Sequence, residues 1–295
     1  MIEAILKQFG VKATKKEPLK PASVWLIDDE LILKQSSPRS IARSAELSKK
    51  LADAGISVPV YIRALKDSYV YEVHGNTYCL MTKLIGEHID PYGCSSHEIG
   101  HTLGLAIADL DNALRGITIA NVHNADLERE MHGWILREIS KSEIAFDTNV
   151  IPACAEWLEL YRTLPRQLIH RDLHADNMLF HGDNFVGFID FDRCQINARV
   201  FDLCYFGCTS LSEGYEDEKH LTKWEKLFSA LLQGYCERCP LNVNELKAIP
   251  MMFVMIEIIF TAFYCKTDQF NTAQKCADFT NWLYRNQDAL SAIVS

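Results

Sequence analysis

The sequence predicts an α+β chain of two lobes: a small β-rich N-terminal lobe, residues 1–85, and a larger, mainly helical C-terminal lobe, residues 86–295. Three observations predict it. Short β-prone runs alternate with turn residues through the first third of the chain. From Ser96 onward, apolar residues recur at helical spacing. One short β element, 167–191, interrupts the helices and carries the densest group of polar residues.

Ser23 to Asp28 and Leu31 to Gln35 are apolar runs around the turn Asp28-Asp29-Glu30, which predicts a hairpin. Ile41, Ala45, Leu47 and Leu51 predict a helix over Ser40 to Ala54, ended by Gly55. A second hairpin is predicted from Tyr69 to Val73 and Thr77 to Leu84 across His74-Gly75-Asn76. Pro91 and Gly93 then mark a loop. Helices are predicted over Ser96 to Leu114, Asp126 to Lys141, Ile151 to Thr163 and in the stretches after His220. Gln167 to His170, Met178 to Phe180 and Phe185 to Phe191 read as strands, the last two joined at Gly182-Asp183. The lobe boundary is expected near Leu84 to Glu87.

The 295 residues suffice for two cores, and 48% hydrophobic with 23% charged residues excludes a disordered or collagen-like chain. Thirty Lys and Arg against 39 Asp and Glu give a net charge of -9, which repels a phosphate backbone and argues against nucleic acid as a partner. It leaves room for a local nucleotide pocket and suits a cationic substrate. Met1 to Lys16 has no continuous apolar stretch, so a cytoplasmic chain with ten reduced cysteines is expected. Cys236 and Cys239 form a lone C-x-x-C with no second pair at zinc spacing. Met251 to Cys265 contains Glu257 and follows Pro250; it falls short of the roughly 20 residues that span a bilayer. It therefore reads as a buried core helix, and no membrane partner is expected.

Chemistry concentrates in Leu168 to Asp192. His170, Asp172 and Asn177 share one loop, and a hairpin turning at Gly182-Asp183 places residue 190 roughly opposite residue 177. Asn177 and Asp190 should then converge at one end of a ribbon. An amide oxygen beside a carboxylate suits Mg²⁺, which completes its shell with water and phosphate. A further carboxylate, Asp172, is available to accept a proton from a hydroxyl nucleophile.

His170-Arg171-Asp172 followed by Asn177 has the spacing of the kinase catalytic loop H-R-D-x-x-x-x-N. The whole string, HRDLHADN at 170–177 and IDFD at 189–192, resembles the aminoglycoside phosphotransferase and choline kinase superfamily more closely than protein kinases. Asp190-Phe191-Asp192 stands where protein kinases have DFG. Within that superfamily the chain is similar to the type II homoserine kinase-like small-molecule kinases. The resemblance implies a bilobal protein-kinase-like fold that uses ATP or GTP with Mg²⁺ to phosphorylate a small hydroxylated molecule, cationic or neutral: an amino alcohol such as homoserine or choline, an aminoglycoside or a sugar. It implies Asp172 as the base, His170 as a buttress of its loop, and Asn177 and Asp190 as metal ligands. Asp192 would be a second ligand or a substrate contact, and Asp202 a structural tie.

The same resemblance asks for a strand lysine on the phosphates and a helix glutamate to hold it. Lys34 fits the first; Glu46, the only acidic residue between Glu30 and Asp53, fits the second. The loop at 18–23 should be glycine-rich and contains no glycine, which leaves Ser23 and Lys20 to meet phosphate. Met81 to Lys83 is expected as the strand whose backbone amides meet a purine edge.

Two other activities compete. A catalytically idle nucleotide-binding chain is suggested by the glycine-poor loop. A zinc hydrolase is suggested by His97-Glu98-x-x-His101, although Ile107 stands where a third histidine would be needed. Trp157 and Tyr161 read as core. Glu213, Glu216, Asp217 and Glu218 read either as an attraction for a cationic substrate or as a solvated loop.

Overall fold

The structure is a computed structural model describing residues 1–20, 23–92 and 96–294. It forms two compact units, neither contiguous in sequence. Unit one comprises Met1–Ile89, Gly116–Val122 and Asp176–Cys194; unit two comprises Asp90–Arg115, His123–Ala175 and the chain from Gln195 onward.

Unit one opens with α1 (Ile2–Gln8), β1 (Lys16–Lys20), β2 (Val24–Ile27) and β3 (Leu31–Gln35). Then follow α2 (Pro38–Asp53), β4 (Tyr61–Ile62), β5 (Tyr71–Val73), β6 (Asn76–Thr82) and β7 (Glu87–His88). The main sheet runs β1-β2-β3-β6-β4, with β5 also on β6, and every pair is antiparallel. The first hairpin pairs Val24 with Lys34 and Ile27 with Leu31, as the sequence predicts. Its acidic turn has a local cause. Asp28 adopts a left-handed φ of 48°, and its carboxylate accepts the N–H groups of Thr14 and Lys15 at 2.9 and 2.6 Å. Trp25, Ile27, Leu33 and Leu80 pack on Ile5 and Leu6 of α1 and on Phe9 just after it, while Cys79 and Met81 pack with Ile41 of α2.

Residues 16–20, expected to lie partly in a loop, are strand β1. Pro18 is tolerated there because β1 is the sheet edge and carries a bulge between Pro18 and Lys20. Pro21 and Ala22 of that expected loop, and Gly93 of the later one, lie outside the described residues.

Unit two begins with α3 (Ser96–Arg115), β8 (His123–Asn124), α4 (Leu127–Glu130), a π-helical turn (Met131–Ile135), α5 (Leu136–Ile139), α6 (Val150–Tyr161) and β9 (Arg166–Ile169). The single helix expected over 126–141 is thus broken by a π-helical insertion. β10 (Met178–His181) and β11 (Asn184–Phe188) belong to unit one, where β10 pairs both β11 and β7. Unit two resumes with β12 (Gln195–Ala198), which pairs β9 and β8. It ends with α7 (Val200–Ser212), α8 (Glu218–Arg238), α9 (Val243–Lys266), α10 (Phe270–Arg285) and α11 (Gln287–Ile293).

α3 and α8 approach at backbone contact. A Cβ on Gly100 would collide with Leu227 O, on Gly104 with Leu231 O, and on Gly234 with His101 O. α9 is longer than expected: a capping box of Asn242 and Glu245 starts it upstream of Pro250, which lies inside it. By length and composition α9 would cross a bilayer, yet 78% of its most apolar stretch is buried in the protein, so it is a core helix.

Candidate active site

In unit two, β9 delivers the chain to His170-Arg171-Asp172. The carboxylate of Asp202, in the first turn of α7, accepts the backbone N–H of His170 at 2.7 Å and of Arg171 at 2.8 Å. Burial pushes this carboxyl up to about 7, against the pull of those two donors. Arg171 holds a left-handed φ of 73°, which costs a non-glycine residue on the order of 1 kcal/mol. Its guanidinium lies 5.6 Å over the Phe201 ring, so both ends of the strained residue are held by α7. His170 is fully buried, and its Nδ1 accepts the Asp172 N–H at 3.3 Å; the ring proton therefore sits on Nε2. The Tyr205 hydroxyl donates to Asp172 Oδ1 at 2.6 Å. Tyr205 was not singled out from the sequence. Its signal is the spacing Asp202-x-x-Tyr205, which stacks both on one face of α7.

In unit one, Ile189 N–H donates to Asn177 O at 3.0 Å, setting Asp190 one residue beyond the partner of Asn177. The register next to the turn would set Asn177 opposite Phe188; a bulge between Leu179 and Phe180 advances it by one, to Ile189. Asp190 has a left-handed φ of 63°. Lys34 Nζ lies 2.9 Å from both Asp190 Oδ1 and Asp192 Oδ2, with the lysine side chain only 18% exposed. Burial alone would lower the ammonium's pKa; the Asp192 and Asp190 carboxylates reverse this and hold it above the ordinary lysine value. Asp192 is fixed in turn by Ser44 Oγ at 3.1 Å, by Ser36 Oγ at 3.4 Å and, through its backbone carbonyl, by Arg43.

Glu46 does not join this cluster. It pairs with Lys50 at 2.7 Å on the exposed side of α2, because Ile41, Ser44, Ala45 and Ser48 occupy the inward face. Ser23, expected to offer a hydroxyl or its N–H to phosphate, donates the N–H to Lys20 O at 3.2 Å. The expected purine-binding amides are also engaged. Met81 is paired on both sides by Ile32 and Tyr61, Thr82 N–H donates to Val60 O, and Lys83 N–H donates to Glu30 O at 2.7 Å. Leu84 and Ile85 follow with no hydrogen bond on their amides among the described residues, and Ile85 is 82% exposed.

The rival motif is dispersed. His97 is exposed, His101 Nε2 lies 2.8 Å from Glu237 Oε1 of α8, and among the described residues no three His, Cys, Asp or Glu side chains cluster as metal ligands. The nine described cysteines are free thiols. Trp157 and Tyr161 are core residues. Within the acidic cluster, Asp217 caps α8 by accepting the N–H groups of Lys219 and His220.

Residues 20–240 match the phosphotransferase enzyme family, APH. A homoserine kinase of Mesorhizobium japonicum is 30% identical over 221 residues, which cover 68% of this chain and 62% of that protein. The chain thus spans under two thirds of the length of the curated relatives it matches first. A microcompartment-associated aminopropanol kinase superimposes with a TM-score of 0.72 at 17% identity, over 100% of this chain and 99% of the other. The GDP complex of aminoglycoside 2'-phosphotransferase-IIIa gives 0.71 at 14%, over 95% and 96%. These superpositions show the protein-kinase-like α+β fold, and with the family match the chain belongs to the APH phosphotransferase enzyme family.

Proposed function

We propose that this protein is a cytoplasmic small-molecule kinase that moves the γ-phosphoryl group of ATP or GTP to the hydroxyl of an amino alcohol. The observation that carries the reading is the strained, α7-anchored loop that presents Asp172 five residues before Asn177 in a member of this family. An acceptor bearing both an amine and a hydroxyl is favoured by the homoserine kinase relatives and the aminopropanol kinase neighbour, and suits a chain of charge -9.

Asp172 accepts the hydroxyl proton and aims the oxygen, while the Tyr205 hydroxyl and the His170 ring set its orientation. The amide oxygen of Asn177 and the carboxylate of Asp190 are the hard-oxygen donors that Mg²⁺ takes; the ion when bound neutralises charge on the phosphates. Lys34 grips the nucleotide phosphates, and Asp192 holds Lys34 in the part expected of Glu46. The free amides of Leu84 and Ile85, rather than Met81 to Lys83, meet the purine edge. Residues 1–85 supply the nucleotide grip together with Asn177, Asp190 and Asp192, and the rest of residues 86–295 the base and the acceptor pocket.

The test is nucleoside-diphosphate release with product detection over a panel of amino alcohols, sugars and aminoglycosides. A phosphomonoester product is expected from an amino alcohol. Asp172→Asn should lower turnover by roughly 10²- to 10⁴-fold while nucleotide binding stays within about twofold. Nucleotide binding without product from any acceptor would instead establish an idle chain.

A further inference from the structure

Unit two contains an open cavity of 440 Å³ whose lining includes four arginines, Arg115, Arg166, Arg199 and Arg238, with Asn112 and Cys239 beside them. Among the described residues, no Asp or Glu lines it. It lies at the start of β9, where Arg166 begins the strand that ends at the catalytic loop, on the order of 13 Å away along the chain.

The charge in this cavity is unbalanced. Arg199 sits bidentate on Glu245, Nε to Oε1 at 2.6 Å and Nη2 to Oε2 at 2.8 Å, and Arg238 pairs with Asp109. Arg115 and Arg166 meet no carboxylate among the described residues. Arg115 Nη2 donates to Cys239 Sγ at 3.3 Å. Arg166 donates to the Tyr161 hydroxyl at 2.8 Å, to Asn124 Oδ1 at 2.9 Å and to the Ala125 carbonyl, all uncharged. Asp111 is not among the lining residues: its backbone carbonyl is bound by Gln167, its carboxylate accepts the Tyr235 hydroxyl at 2.6 Å, and burial pushes its carboxyl well above the carboxylate range. Four guanidiniums less two carboxylates leave a formal +2, in a chain whose total is -9. Guanidinium keeps its charge at any working pH, and its planar fork matches the oxygens of a tetrahedral anion. The volume exceeds what a bare phosphate fills.

We propose that this cavity binds the dianionic phosphate group of a small phosphomonoester, gripped by Arg115 and Arg166 against the ion-paired wall of Arg199 and Arg238. The phosphotransfer roles proposed for Asp172, Asn177, Asp190 and Lys34 do not call for such a site. The phosphate would lie at the outer end of the β9–β12 ladder, where Arg166 pairs with Ala198.

Calorimetric titration of the full chain with O-phosphoserine and with inorganic phosphate tests the proposal, with a non-hydrolysable nucleotide held at saturation so that the nucleotide site is filled. Binding that persists under saturating nucleotide is expected, tighter for O-phosphoserine than for phosphate. Arg115→Glu should weaken it roughly tenfold or more. Asn112→Asp keeps all four guanidiniums and adds one negative charge to an exposed lining residue; it should also weaken binding, and it carries the test if Arg115→Glu does not fold. No heat from either probe, binding abolished by nucleotide, or affinity unchanged in both variants would overturn the site. Phosphate binding as tightly as O-phosphoserine would overturn the phosphomonoester assignment.

Discussion

Replacing Asp192 by Asn removes one of the two charges that hold Lys34 while keeping the size of the side chain. The ion pair is 2.9 Å long between side chains 18% and 23% exposed. At an effective dielectric of about 20 its Coulomb energy is about 6 kcal/mol, most of which the lost hydration of both groups offsets. A charge-assisted hydrogen bond in such a setting contributes a net of about 2 kcal/mol, a factor of about 30 in affinity. Lys34 keeps Asp190, so the protein should fold, and the loss should appear in nucleotide binding. Displacement of a fluorescent nucleotide should show a Kd about 30-fold weaker in Asp192→Asn, with KM for nucleotide following it. Ser44→Ala removes the 3.1 Å hydrogen bond that orients Asp192, worth about 1 kcal/mol, so about fivefold in the same direction. Glu46→Gln should have no effect, since its carboxylate sits on Lys50. The rival role for Asp192, a second metal ligand, predicts a different signature: a raised Mg²⁺ requirement at saturating nucleotide. The anchor reading fails if Asp192→Asn shifts only that Mg²⁺ curve, or if Glu46→Gln weakens nucleotide binding tenfold.

Two further predictions concern stability. Burial raises the Glu257 carboxyl to about 7 from the ordinary 4.5, outweighing hydrogen bonds from the Cys208 and Cys276 thiols. The folded chain then keeps a proton that the unfolded chain gives up. The associated stability is complete below about pH 4.5 and gone once pH rises past about 7, a difference of about 3 kcal/mol. Denaturant melts of wild type and Glu257→Gln should diverge over that interval in favour of Gln and run parallel above it; profiles parallel throughout would refute the assignment. Gly104→Ala forces a Cβ into Leu231 O and Tyr235 N and should destabilise by at least about 2 kcal/mol, whereas Gly133→Ala, which meets nothing within 4 Å, should be near neutral in the same thermal melt.

Much of the fold was legible because its signals are local. The hairpin around Asp28 was marked by an acidic turn between apolar runs, and α2 by its apolar spacing with Gly55 beyond it. Elements without a local signal escaped. β4, β7 and β8 are two residues each and exist only through their partners β6, β10 and β12. β1 was hidden by Pro18, which reads as a breaker until the edge position is known. Pro250 suggested a helix start, but the capping box at Asn242 and burial along α9 outweighed the one missing N–H.

Of the candidate site, the spacing of Asn177 and Asp190 was legible because it is fixed by a short hairpin: Ile189 lies opposite Asn177, one residue short of the expected Asp190. The partner of Lys34 was not, and the reason is helical phase. Choosing the only acidic residue in the α2 stretch treats a helix as a line. At 100° per residue, Ile41, Ala45 and Ser48 define the buried face, and Glu46 falls on the far side. Ser44 does face inward, and a serine among buried apolar residues needs a polar partner. That partner is Asp192, a residue 148 positions later. Inward-facing Ser44 was thus the readable sign that helix α2 holds its carboxylate at second hand. The same geometry explains why Asp192 lies against Lys34 rather than out on the ribbon: three donors, Ser36, Ser44 and Arg43, fix it where a helix glutamate would otherwise reach.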